Sequence, residues 1–323
     1  MFEINFNSIE GIKLGHAHNM EAATGCSVIL CPEGASGGVE VRGGSPGTRE
    51  TDLLNPVEFV DKVHGVVLSG GSAFGLDAAS GVMHYLSEHN IGFDVGVTKV
   101  PIVCSAVLFD LVIGSSSIHP DKNMGYEACL NSENNYKDLN GNIGAGMGAT
   151  VGKIKGIDFS MKGGLGTYAV QVGDLQVGAI VAVNALGDIF DSEKNSFIAG
   201  VLSDNRRSLS NTEDIMISQY NKGKNVFSGN TTIGLIATNA NLNKAQASKV
   251  ASMAHNGFGR AIRPAHTMFD GDTIFSLCTN KVNADVNVVG LLAAKTIEKA
   301  IIRGIKEAKT LHGVPSLNDL DNL

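Results

Sequence analysis

The chain has 323 residues with 43% hydrophobic and 18% charged side chains, and its 25 Lys and Arg against 32 Asp and Glu leave a net charge of -7. That composition excludes intrinsic disorder and argues against a surface built to grip phosphate backbones, so nucleic acid is not expected as a partner. Five cysteines, Cys26, Cys31, Cys104, Cys129 and Cys278, contain no C-x-x-C pair and read as reduced, small hydrophobes, not a disulfide frame or zinc knuckle.

The chain opens with MFEINFNSIEGIK, which lacks a basic stretch followed by an apolar core, so no secretory signal and a cytoplasmic location are expected. Short β-branched runs bounded by Gly, Asn or Asp then predict strands over Cys26 to Cys31 and Gly65 to Leu68. Phe74, Ala78, Val82 and Leu86 have helical spacing, with Ser72 as the expected cap. Residues 115–142, rich in Ser, Asn and Gly, read as a long surface excursion. Further strands are expected over Val177 to Asn184, Thr231 to Thr238 and Ile274 to Thr279, with a helix carrying Val250, Met253 and Ala254 behind an Asn243 cap. From Val286 to about Leu311, Val289, Leu292, Ile297, Ala300, Ile301, Ile305 and Ala308 fall on one stripe of an amphipathic helix. The segment after Gly313 reads as a loosely held end. Strands mixed with helices, without strict alternation, predict a layered α/β or α+β sandwich in one domain.

The longest charge-free run, residues 225–243, holds five asparagines and is too polar to span a membrane. A neutral run of that length is expected in the core. The 40 glycines invite a phosphate-loop reading at GAGMGATVGK (144–153), but Met147 and Ile154 stand where the Walker pattern needs Gly and Ser or Thr. Close backbone packing is the expected role. GGSAFG (70–75) misses the Gly-x-Ser-x-Gly elbow at Phe74. His16 and His18 share one side of an extended segment, yet no third ligand completes a metal set. His255 and His266 read as ordinary hydrogen-bonding histidines, because no spacing tells which hydroxyl either would activate.

More informative is Gly229-Asn230-Thr231-Thr232, which opens directly into a buried strand. A Thr becomes a strong nucleophile when its own α-amine is free, because that amine titrates at about 7.7–8.0 and can take the hydroxyl proton. An internal Thr gains such an amine only if the bond before it is cut.

Here the sequence resembles the L-aminopeptidase/D-esterase family of self-cleaving, N-terminal-nucleophile-type hydrolases, which includes β-aminopeptidases and nylon-oligomer hydrolases. The resemblance covers nearly the whole chain through LSGGSAFGLDAASGVM (68–83), GAGMGATVGK (144–153), VGAIVAVNALGD (177–188), NTTIGLIATNA (230–240) and RPAHTMFDGDTIFSL (263–277). It implies a four-layer αββα sandwich and a precursor that cuts itself between Asn230 and Thr231. The products are an α-chain, 1–230, and a β-chain, 231–323, that stay together. Thr231 is then the nucleophile, with Lys153, Asn184, Asp270 and Asp272 around it, Asn184 donating to the oxyanion. Where some relatives use a Tyr hydroxyl, the aligned residue is Phe109.

The resemblance further implies a small peptide, amide or ester substrate, no metal or other cofactor, no membrane partner, and a homo-oligomer, a tetramer of αβ units. Two rivals are a protein that binds small molecules through its glycine loops and a non-cleaving binding protein of the same fold.

Overall fold

The computed structural model describes residues 1–134, 140–220 and 229–322. Among the described residues ten strands share one sheet: β1 (Phe2–Ile4), β2 (Lys13–Asn19), β3 (Thr24–Val41), β4 (Thr48–Arg49), β5 (Lys62–Ser69), β6 (Val103–Val107), β7 (Gly164–Val172), β8 (Leu175–Val183), β9 (Ile233–Ala240) and β10 (Thr273–Val282). Their order is β1-β7-β8-β9-β10-β3-β5-β6-β4, with β2 also on β3. The helices are α1 (Ala78–Glu88), α2 (Lys122–Asn131), α3 (Thr212–Ser218), α4 (Lys244–Ala261) and α5 (Val286–Lys306).

The layering follows from strand alternation, which sends successive side chains to opposite faces. On β8, Ile180 and Ala182 point into a central core with Ile233, Leu235 and Phe275, while Ala179, Val181 and Val183 meet the α4 and α5 side. On β3, Ile29 and Cys31 join the same central core, while Cys26, Val28 and Leu30 face Val82 and Leu86 of α1 and Ala128 of α2. Helices, sheet, core, sheet and helices therefore stack as the expected four layers. The two sheet layers are halves of one sheet, because the register of β3 shifts between Leu30 and Ala35. Its first half pairs with β2 and its second with β10, while β5 pairs with it on both sides of the shift, up to Ser36.

Local signals account for α4 and α5. Asn243 accepts from the Gln246 N–H while the Gln246 side chain accepts from the Asn243 N–H, a reciprocal capping box that starts α4. Asp285 caps α5, and Arg303 and Lys306 sit in its last turn where the carbonyl ends favour cations. A parallel pair needs a crossover, and α4 supplies it between β9 and β10. Among the described residues no helix is long and apolar enough to cross a membrane.

Three local expectations are corrected. The segment 115–142 contains α2, capped by Asp121 and packed through Gly125, Ala128 and Cys129; these small residues form no apolar stripe, so the helix was hidden. Residues 135–139 of that segment, and 225–228 of the charge-free run, lie outside the described residues. Ser72 makes no capping bond but sits at φ 54°, opening a short 3-10 turn through its N–H to the Leu108 carbonyl. The end after Gly313 is held, since the Lys162 N–H donates to the Pro315 carbonyl at 2.8 Å and Ser316 is buried.

The glycine blocks serve close packing. A Cβ on Gly146 would lie 2.0 Å from the Leu165 nitrogen, and one on Gly166 would lie 1.8 Å from the Ala300 carbonyl oxygen of α5. Gly166→Ala is therefore expected to lift α5 from β7 and cost about 1–3 kcal/mol. Urea unfolding at one temperature checks this, and an unchanged midpoint would contradict the contact.

Candidate active site

The parallel pairing of β9 and β10 keeps a constant offset from Ile233↔Thr273 through Thr238↔Cys278, and an isolated bridge extends it back to Asn230↔Asp270. Asn230, Thr231 and Thr232 therefore run alongside Asp270, Gly271 and Asp272 at the strand entrances. Asn230 and Thr231 are 1% and 5% exposed, so the intact chain keeps this junction closed to solvent.

The Asn230 carbonyl has two donors. The Thr231 hydroxyl donates to it from its own side chain, and the Gly271 N–H donates at 3.1 Å. A Cβ on residue 271 would lie 2.7 Å from Thr231 Oγ1, so only glycine lets this turn approach the hydroxyl. The Thr231 N–H donates to the Asn184 carbonyl at 2.8 Å. Hydroxyl, carbonyl and amide of one peptide unit are thus each held in a defined direction.

Lys153 is buried, and its Nζ donates to Asn184 Oδ1 at 2.8 Å, the Asn184 carbonyl at 3.1 Å and the Gly229 carbonyl at 3.3 Å. Three acceptors match the three donors of an ammonium. Burial nevertheless pulls Lys153 down to about 7, against the opposing fields of Asp270, Asp110 and Asp272. Asn184 is turned by this contact: Oδ1 also accepts from the Thr150 N–H at 3.0 Å, and Nδ2 donates to the Phe109 carbonyl at 3.0 Å. Phe109 reaches the site through its main chain, while its ring packs against Gly229.

The two aspartates have different partners. Asp270 Oδ2 accepts from the Thr267 N–H at 2.9 Å and the Thr267 hydroxyl at 2.6 Å. Burial first and the Asp272 charge second push Asp270 up to about 6, although the Thr267 bonds oppose this. Asp272 Oδ1 accepts from the Thr232 N–H at 2.8 Å, and Oδ2 accepts from the His266 main chain at 3.0 Å and ring Nδ1 at 2.9 Å.

All six residues named from the sequence, Asn230, Thr231, Lys153, Asn184, Asp270 and Asp272, thus meet at one junction. The sequence reading missed the Gly271 N–H, the Phe109 carbonyl, Thr267 and His266. Main-chain groups leave no side-chain signature, but Thr267 and His266 lie in the RPAHTMFDGD stretch beside the aspartates. Of the histidine pair at the other end, His16 bonds Ser27 Oγ at 2.9 Å, and burial lowers it to about 3.

The model of peptidase family S58 matches residues 6–317. An uncharacterized aminopeptidase of Mycobacterium leprae is 38% identical, with the match covering 97% of this chain and 92% of that protein. The 6-aminohexanoate-oligomer endohydrolase of Kocuria sp. is 29% identical over 92% of this chain and 84% of its own length. The L-aminopeptidase D-Ala-esterase/amidase of Ochrobactrum anthropi, a variant of the Ntn hydrolase fold, superposes with a TM-score of 0.70 at 17% identity, covering 96% of this chain and 88% of that one. A Burkholderia sp. β-aminopeptidase superposes at 0.68 and 16%, covering 98% and 92%. The fold expected from the sequence is the fold of these enzymes.

The site carries a pH signature. Folding raises the Asp270 carboxyl from 3.8 to about 6, so its stabilising contribution is complete below the unfolded value and is lost as pH rises through about 6. Asp270→Asn cannot ionise and keeps an acceptor for Thr267. Relative to wild type it is expected to gain stability between about pH 4 and pH 8. Urea unfolding of both proteins across that range checks the sign, and a constant difference would contradict it.

Proposed function

From the premise that this chain belongs to peptidase family S58, we infer that it hydrolyses amide bonds, and we propose that it does so with Thr231 as an N-terminal nucleophile made by self-cleavage. The observation that carries this reading is the Asn230 carbonyl gripped by the Thr231 hydroxyl and the Gly271 N–H. In maturation, Thr231 Oγ1 attacks the Asn230 carbonyl carbon and its proton passes to the peptide nitrogen. The C–N bond breaks, leaving an ester and a free α-amine. Water then hydrolyses the ester to the Asn230 carboxylate and regenerates the hydroxyl. The Gly271 N–H stabilises the oxyanion of this first attack, where one donor contributes about 3–4 kcal/mol.

In the mature enzyme the Thr231 α-amine takes the hydroxyl proton while the oxygen attacks a substrate amide or ester. An acyl-enzyme forms, the amine or alcohol leaves, and water releases the acid. Asn184 Nδ2 has a second N–H beyond the one given to Phe109, and we assign it to the substrate oxyanion. Lys153 holds that Asn184 side chain in place through Oδ1 and, when protonated, disfavours protonation of the Thr231 amine. Asp272 fixes the Thr231–Thr232 peptide and Asp270 fixes the turn that presents Gly271.

The substrate class is a small peptide, amino-acid amide or ester, taken up without a metal or other cofactor. The proposed working form is a tetramer of αβ units, with chains 1–230 and 231–323, in the cytoplasm. Belonging to a peptidase family favours amide hydrolysis over the binding-only readings.

Purified wild type is expected to run as two bands of 230 and 93 residues on a denaturing gel. Thr231→Ala should remain one inactive chain, whereas Thr231→Ser, which keeps the hydroxyl, should process. Undiminished processing of Thr231→Ala would move the nucleophile elsewhere, with Thr232 next in line. A panel of amino-acid p-nitroanilides, esters and short amides then ranks the substrates.

A further inference from the structure

His266 is absent from the chemistry above, yet it holds half of a carboxylate that the chemistry needs. Asp272 spends Oδ1 on the Thr232 N–H and Oδ2 on two donors of one residue, the His266 N–H and ring Nδ1. The ring cannot swing away freely. His255 meets it edge-on with centroids 4.8 Å apart, and the Phe258 ring lies 6.0 Å away at 29°. His255 is itself pinned, because its Nε2–H donates to the Glu40 carbonyl at 2.9 Å.

Two further features set His266 apart from a packing residue. Its backbone lies at φ 61°, a left-handed conformation uncommon outside glycine that His, Asn and Asp adopt more readily than other L side chains. Its Nε2 is buried and has no hydrogen-bond partner among the described residues. A histidine here leaves one ring nitrogen without a partner among the described residues, so the Nδ1 donor is the part of it that the site uses.

We propose that His266 is a positioning residue for the Thr231 nucleophile: through two hydrogen bonds it fixes Asp272, which holds the Thr232 N–H and so sets the direction of the Thr231 hydroxyl. Without the ring donor, the Asp272 carboxylate turns about its last torsion. The peptide after the nucleophile then loses its anchor. A displacement of this kind matters because attack requires an aligned oxygen and carbonyl carbon. This inference rests on Thr231 being the nucleophile of self-cleavage.

The test compares variants that separate backbone from donor. His266→Gly keeps the left-handed backbone without strain and removes the ring. His266→Asn also tolerates that backbone, and its amide nitrogen occupies the place of Nδ1. Each precursor is made by cell-free synthesis, and its disappearance is timed on a denaturing gel, with gel filtration confirming the folded state. A hydrogen bond to a charged group is worth about 10- to 100-fold, so His266→Gly is expected to slow cleavage by that factor and His266→Asn by less than about threefold. In an Asp272→Asn background, His266→Gly should add less than about a threefold further loss, because the two act in series.

Equal rates for His266→Gly and His266→Asn, or independent losses in the Asp272→Asn background, would overturn the inference while leaving Thr231 in place. A wild-type chain that never cleaves, or a Thr231→Ala chain that does, would overturn both. Should His266→Gly fail to fold, His266→Gln replaces it, since its amide nitrogen overlays Nε2 instead of Nδ1. Slow Gln with fast Asn supports the role, and equal rates contradict it.

Discussion

The parallel register of β9 on β10 is the constraint on which the site depends. One offset, kept from the strands back to the Asn230↔Asp270 bridge, sets Asn230-Thr231-Thr232 against Asp270-Gly271-Asp272. Parallel neighbours must be joined by a crossover, so α4, its capping box and its packing on α5 are conditions for that register. A slip of one residue would turn each side chain to the opposite face and part the Gly271 N–H from the Asn230 carbonyl.

Around this frame the interior holds charges that burial alone would neutralise. Lys153 and Lys162 are both pulled down to about 7, and Asp110 and Asp270 are pushed up to about 6, with burial the largest cause in each. Each keeps hydrogen-bond partners: Lys162 donates to three main-chain carbonyls, and Asp110 accepts from Gly71 N–H and the Thr24 hydroxyl. Burial thus brings an ammonium and a carboxyl of the candidate site toward neutrality from opposite sides, Lys153 losing its proton more readily than usual and Asp270 less readily. Asp110 also follows Phe109, so the same anchor steadies the carbonyl that orients Asn184.

Much of the fold was legible because its signals are periodic or local. The α5 stripe, the Asn243 cap and the strand alternation each appear in consecutive residues and required no distant partner. The segments that were misread owe their structure to distant contacts. The α2 helix buries only small residues, and the end after Gly313 is held by main-chain bonds to Lys162. The candidate site was legible in its side chains, through the five family blocks, and illegible in its main-chain donors. His266 illustrates the boundary: as a lone histidine it had no pattern, and only the fold sets its ring on Asp272.

The central claim is that one hydroxyl cuts the chain and then the substrate. Its most direct measurement is to mix the purified enzyme with an amino-acid ester or p-nitroanilide, quench with acid during turnover, and map the added mass by peptide sequencing. The expected result is an acyl group on the side-chain oxygen of a peptide whose first residue is Thr231. An acyl group on any other residue, or a Thr231 still joined to Asn230 in active enzyme, would contradict it.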